Sequence, residues 1–466
     1  MYKGDHVAVF WFRRDLRLED NAGLYHALNS GYRVLPVFIF DRNILDKLES
    51  SYDRRVSFIH GALEHLQKQM TEAGSALLVL HDSPENAVRK ILSDYNVQAF
   101  FANHDYEPYA TDRDRRITGI LKESSIPFHT FKDQVIYEKD EVLKSDGTPY
   151  TVFTPYSRVW KKNLKEEHIR PYPSETLTGN FLKLLPLRLP SLADISFLHV
   201  DGTFGADEVA GPFGAHGTDA GPLGADETDA GLFRTPEIDT AIIGDYHKTR
   251  NIPSLRGTTR LGVHIRFGTV SIRELVRTAL SLNEVWLNEL IWREFFMSIL
   301  WHYPHVVDNS FRKKYDNITW RNNEEEFERW CNGMTGYPIV DAGMREINAT
   351  GYMHNRVRMI TAGFLTKHLL IDWRWGEAYF GARLLDYELS SNNGNWQWAA
   401  GSGCDAAPYF RVFNPAEQTR KFDPDLTYIK KWVPELDTPS YPRMIVDHPF
   451  ARERAMKIYS EGLRTH

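Results

Sequence analysis

The chain has 466 residues, 42% of them hydrophobic and 25% charged, with a formal net charge of −6. That length exceeds one compact core and predicts two or three domains of ordinary globular composition. Two cysteines, Cys331 and Cys404, exclude a disulfide framework, lack the CxxC spacing of a thiolate metal site and fit a reducing cytoplasm.

In chain order, VAVFWF (7–12), RVLPVFIF (33–40), SALLVL (75–80) and the run around AFFANH (99–104) read as strands. The first is far too short for a signal segment or a membrane span. Residues 20–30, 52–73, 84–95 and 109–124 read as helices between them. Apolar runs alternating with helices predict a parallel α/β sheet over residues 1–130. No GxGxxG follows the first strand, so a ligand at the strand ends rests on fold analogy alone. Residues 131–237 read as a long Pro-rich connection. Inside it, 202–233 repeats loosely as GTFGADEVA, GPFGAHGTDA and GPLGADETDA. Such Gly/Ala/Asp-rich chain cannot bury enough surface to offset its entropy and reads as a flexible, tolerated insert. From 238 to 466 the pattern is helical. Ten of the twelve tryptophans lie between Trp286 and Trp432, implying a large core or a bound planar cofactor.

Four stretches of the helical part carry unusual chemistry. In RGTTRLGVHIRFG, Thr258, Thr259 and Arg260 precede Gly262, a usable phosphate cradle that helix capping explains equally well. In WLNELIWREFF, Trp286, Glu289, Trp292 and Arg293 recur on one helix face. An aromatic slot would desolvate Glu289 and raise its pKa, although a plain Glu–Arg helix pair is as good a reading. In MHNRVRM, Asn355, Arg358 and Met359 share a face, with Arg356 pointing elsewhere. In DYELSSNNGNWQWAAGSGCDAAPYFRVFNP (386–415), Asn392 and Trp396 share a face while Trp398 turns to roughly the opposite side, so the segment could meet two partners at once. Trp320, Trp373 and Trp396 could stack as an oxidisable series, or simply fill a core.

Together and in this order, WFRRDLRLEDN (11–21), WLNELIWREF, TGYPIVDAGMR, MHNRVRM and the 386–415 stretch resemble the photolyase/cryptochrome family. The likeness covers nearly the whole chain outside 202–233 and the last twenty or so residues. It is nearest to the class I cyclobutane pyrimidine dimer photolyases, through Asn355 and Met359, Asn392 and the WQW around Trp398. The resemblance implies a Rossmann-like parallel α/β domain joined by a long linker to an all-helical FAD-binding domain. It places cofactor contacts at Tyr246, Thr258, Thr259, Arg260, Leu261, Gly262, Trp286, Arg293, Asn355, Arg358, Asp386, Glu388 and Asn392. Gly262 stands where the family has Ser, and Glu388 where it has the second acid of Asp-x-Asp.

The implied activity is light-driven repair of pyrimidine dimers in DNA, by electron transfer from reduced FAD to a flipped-out dimer. Glu289 and Asn355 would hydrogen-bond the dimer, Trp292 and Trp398 sandwich it, and Met359 touch it. Arg250, Arg356 and Arg411 would hold flanking phosphates. Asn392 would face flavin N5, and Trp396, Trp373 and Trp320 would relay electrons from the surface. The expected partner is ultraviolet-damaged DNA, single- or double-stranded. The protein is expected to be a cytoplasmic monomer without metal or membrane attachment. A signalling cryptochrome without repair activity is the alternative, and a non-photochemical electron-transfer flavoprotein a third reading. For an antenna, Tyr109 and Ala110 stand where folate-binding members carry Asn-Glu. That disfavours methenyltetrahydrofolate and leaves deazaflavin, a second flavin or none.

Overall fold

A computed structural model describes residues 2–200 and 233–464. Five strands, β1 (Tyr2–Phe12), β2 (Arg33–Asp41), β3 (Leu78–Asp82), β4 (Tyr95–Asn103) and β5 (Phe128–Phe131), form one sheet in the order β3-β2-β1-β4-β5. Every pairing is parallel. Alternate residues point to opposite faces, and both faces are covered. Ala8, Phe10, Phe12, Val34 and Phe38 pack with helix Arg54–Glu72, whereas Val7, Val9, Trp11, Leu35 and Val37 pack with helices Pro84–Asp94 and Pro108–Glu123. Burial on both sides is why the strands read as unbroken apolar runs. The strand order reverses between β1 and β4, and Arg13, Arg14 and Asp15 emerge at that point.

Two elements depart from the expected pattern. β5 lies at the predicted domain edge; four residues long, with exposed His129 and Thr130, it carries little periodic signal. The connection predicted as irregular contains helix Phe153–Asn163. Pro155 masks that helix in the sequence but sits in its first turn, where the missing N–H would have had no intrahelical partner. The helix is pinned to the helical region by Glu294. Its carboxylate accepts from the backbone N–H groups of Ile136 (2.7 Å) and Tyr137 (3.1 Å) and from Trp160 Nε1 (2.5 Å). Burial pushes Glu294 up to about 7. The predicted insert lies outside the described residues except for its last member, Phe233, whose ring packs edge-on against Phe58.

From Thr240 onward the structure is helical. One apolar cluster gathers around helix Glu284–His302 (Trp286, Leu290, Phe295) and a second around Trp330, Trp373 and Trp396. Helix Leu389–Ala400 joins them. Gly394 lies against the Phe296 ring, where any side chain would collide, and Trp396 is buried in the second cluster. Among the described residues no helix is long and apolar enough to cross a membrane.

Candidate flavin- and lesion-binding site

A cleft opens between helices Asn355–Gly363, Trp373–Arg383 and Leu389–Ala400. Asn355, Arg358, Met359, Asp386, Glu388, Asn392, Trp396 and Trp398 border it, together with Ser391, Asn395 and Ala399. At 100° per residue, the positions contributed by Leu389–Ala400 form one continuous arc of about 160°, with Trp396 at one end and Trp398 at the other. Trp396 and Trp398 therefore lie on roughly opposite sides of the helix, as expected, and both border the one cleft.

The polar groups of the cleft are oriented by partners outside the predicted set. Asn392 Nδ2 donates to the backbone oxygen of Glu377 (3.0 Å) and to its Oε1 (2.8 Å), so the nitrogen is committed and the amide oxygen of this cleft residue is available as an acceptor. Burial raises the Glu377 pKa, and the Asn392 amide opposes that rise. Arg358 Nη2 donates to both oxygens of Asp386 (3.1 and 2.9 Å), and its Nε donates to Met353 O. The guanidiniums of Arg260 and Arg358 lie over the Tyr352 ring at 5.1 and 5.8 Å, and the Thr258 hydroxyl is 3.3 Å from Tyr352 Oη. Tyr352 thus gathers the Thr258–Arg260 segment and the Arg358–Asp386 pair at one place.

Both departures from the family pattern have a geometric counterpart. A Cβ at Gly262 would lie 2.9 Å from Asp386 Oδ2, so the carboxylate occupies the space a serine would need. Glu388 pairs with different arginines from Asp386. Its Oε1 accepts from Arg14 Nη2 (2.5 Å) and Arg293 Nη2 (2.8 Å). Against the cost of burial, Arg293, Arg14 and Arg266 hold the Glu388 carboxyl down to about 2. Arg14 also pairs with Asp105 and Glu107 at the strand ends.

Glu289 and Arg250 form an ion pair, and the Arg250 guanidinium lies 5.5 Å from the Tyr246 ring centre. Burial raises the Glu289 pKa and Arg250 opposes it, in the direction expected from the aromatic slot. Arg356 is held by Asn251 Oδ1 (2.6 Å) and covers the Phe422 ring. Burial lowers its pKa first, and the charges of Arg250 and Arg411 lower it further. Trp286 and Leu261 lie in the apolar cluster of helix Glu284–His302, and Trp292 packs half-buried on its edge. Phe296 against Gly394 places Trp292 and Trp398 each one turn from the same helix crossing. Trp396 and Trp373 are buried in one cluster, and half-buried Trp320 packs on it. The ring neighbours of Trp396 are Phe380 (4.9 Å) and Trp330 (6.2 Å).

Tyr352, Glu377, Asn251, Arg14 and Trp330 escaped the sequence reading. Arg14 stood within a quoted motif but without a role. The others carry no local signal, because each acts through a partner distant in sequence.

An available amide oxygen beside aromatic walls, and hydroxyls with guanidiniums around Tyr352, offer what a planar heterocycle with a pyrophosphate tail needs. The fold and cleft suit a protein that holds such a group beside a parallel α/β domain. Comparison with known proteins gives the family. The profile described as the FAD binding domain of DNA photolyase matches residues 286–461, and that of DNA photolyase matches residues 8–174. A deoxyribodipyrimidine photo-lyase of Synechococcus sp. is 36% identical, covering 97% of this chain and 96% of the relative. A solved class III photolyase from Agrobacterium tumefaciens superposes with a TM-score of 0.83 at 30% identity, over 100% of this chain and 99% of that one. An archaeal photolyase from Sulfolobus tokodaii, described as holding two FAD molecules, superposes with a TM-score of 0.76 at 32% identity, over 98% and 100%. The chain belongs to the DNA photolyase family, with FAD as its cofactor.

Proposed function

We propose that this protein is a deoxyribodipyrimidine photo-lyase that repairs cyclobutane pyrimidine dimers in DNA with blue light. The observation that carries the reading is the single cleft on which Asn392, Asn355, Met359 and Trp398 converge, with Arg356 reaching the rim residue Met359 at 3.6 Å from its sulfur. Bound FAD, reduced and excited by light, supplies the electron that opens the dimer and takes it back.

The residues of the chain bind, orient and shield. Asn392, its nitrogen committed to Glu377, presents an oxygen that can accept a proton-bearing flavin nitrogen without adding a negative charge there. Arg358 with Asp386, and Thr258, Thr259 and Arg260, hold the polar part of the cofactor. Trp292 and Trp398 wall the dimer, and Glu289 and Asn355 bind its polar edge. Arg250, Arg356 and Arg411 fix flanking phosphates without reading sequence. Trp320, Trp373 and Trp396 carry electrons inward to return oxidised FAD to its working state.

The division into 1–130, 131–237 and 238–466, the class I assignment, monomeric state and a cytoplasmic setting belong to the same proposal. Buried, unpaired Cys331 and Cys404 support the last. Folate is disfavoured as antenna: Ala110 is buried and Tyr109 Oη donates to Asp41 (2.5 Å). That leaves deazaflavin, a second flavin or no antenna.

Dimer preference tests the reading against a signalling cryptochrome. Affinity for a DNA duplex bearing one thymine dimer is expected to exceed that for the undamaged duplex by about a hundredfold or more, the lesion's weakened pairing and stacking lowering the cost of extrusion. Equal affinity for both duplexes would favour the cryptochrome.

A further inference from the structure

The ring of Phe153 lies flat on the Trp292 indole, with centroids 3.7 Å apart and planes 4° from parallel. Phe153 is the first residue of helix Phe153–Asn163, in the connection between the two domains. Its backbone N–H, which no helix carbonyl can accept, donates to Asp405 Oδ2 at 2.9 Å. Asp405 belongs to the loop that follows helix Leu389–Ala400 and runs on to Arg411. Arg312 Nη2 ties that loop again through Cys404 O (3.2 Å). Phe153 also meets Phe295 edge-on at 6.0 Å, and Trp292 meets Phe295 and Phe296 at 5.7 and 5.5 Å. One face of the indole is therefore backed by an aromatic stack, rooted in the linker and latched to the loop carrying Arg411.

We propose that Phe153, held by Asp405, is a positioning residue that sets the plane of Trp292 for stacking on the dimer. It thereby makes the interdomain linker part of the lesion pocket. An indole free to rotate must lose that freedom when the dimer arrives; one already stacked on Phe153 has lost it on folding. Phe153 does not border the cleft, so its effect on binding passes through Trp292. The inference rests on Trp292 being a lesion wall.

The test compares Phe153→Leu, Phe153→Tyr, Asp405→Asn, Trp292→Leu and the Phe153→Leu/Trp292→Leu double variant. FAD content and dimer affinity are measured on FAD-loaded, full-length protein with a single-dimer oligothymidylate. Phe153→Leu, which keeps apolar volume but no flat ring, is expected to bind the dimer roughly three- to tenfold more weakly, the range of one aromatic pair. Its FAD content should be unchanged. Phe153→Tyr should retain affinity, and Asp405→Asn should lose part of it. The double variant should bind no more weakly than Trp292→Leu alone. Unchanged affinity in Phe153→Leu would overturn the proposal, as would tighter binding, which would mean that the ring competes with the lesion. Additive losses in the double variant would assign Phe153 a merely structural role. Full affinity in Trp292→Leu would instead remove the lesion wall itself.

Discussion

The Asn392 amide can donate only through Nδ2, and Glu377 takes both of its bonds. Replacing Asn392 by Asp would set two carboxyls against each other where one amide hydrogen bond now sits. They could not both ionise, and one would keep its proton at neutral pH. Repair by Asn392→Asp is expected to fall by on the order of tenfold or more, with the bound flavin resting further toward the oxidised state. Absorbance of the purified protein and a repair assay check this; unchanged spectrum and rate would contradict the role given to Asn392. Gly262 makes a second residue-scale case. Gly262→Ser would push on Asp386 and loosen its pairing with Arg358. The crowding costs about 1–3 kcal/mol, so FAD bound per protein is expected to drop, read from the flavin-to-protein absorbance ratio. Full flavin content would show that Asp386 moves freely aside.

Among the elements, helix Leu389–Ala400 concentrates the site because its small residues, such as Gly394, let neighbouring helices approach while Asn392, Trp396 and Trp398 stay on one arc. The sequence exposed these residues, yet their arrangement around one cavity depended on which helices surround them. Helix Phe153–Asn163 was hidden by a proline that its first turn tolerates, and β5 by its brevity. The tryptophan series gives an element-scale test. Trp396 and Trp373 are buried and Trp320 is half-exposed on the same cluster, the gradient an inward relay needs. Trp320→Phe is expected to suppress light-driven reduction of oxidised FAD, followed by absorbance, while chemically pre-reduced protein repairs normally. Lost repair in the pre-reduced variant would count against the relay. The contacts of Trp330 with Trp396, Phe327 and Phe380 were invisible to spacing alone.

At the scale of the whole molecule, the two halves meet in a buried charge network. Arg14, from the end of β1, reaches Glu388, 374 residues away. The α/β sheet, the helical region and the family were legible from apolar periodicity and long motifs. This joint was not, because no local pattern announces a partner so far along the chain. Its pH dependence follows from Glu388, whose folded pKa of about 2 lies below the ordinary carboxylate value. The stabilisation is therefore present above the ordinary range and is lost as pH falls toward 2. Glu388→Gln is expected to flatten that acid limb. It should also destabilise the neutral protein by about 3 kcal/mol, since Arg293 is left without its buried anion while Arg14 keeps Asp105 and Glu107. Denaturant unfolding measured across pH checks both, and an unchanged acid limb would place the linkage elsewhere.

If light absorbed in the cleft opens a dimer held beside it, repair must depend on illumination. The direct measurement counts thymines restored in a single-dimer oligothymidylate, using FAD-loaded, reduced protein under blue light and in darkness. Many turnovers in light and none in darkness are the expected result. Equal recovery in light and darkness, or none in either, would contradict the account.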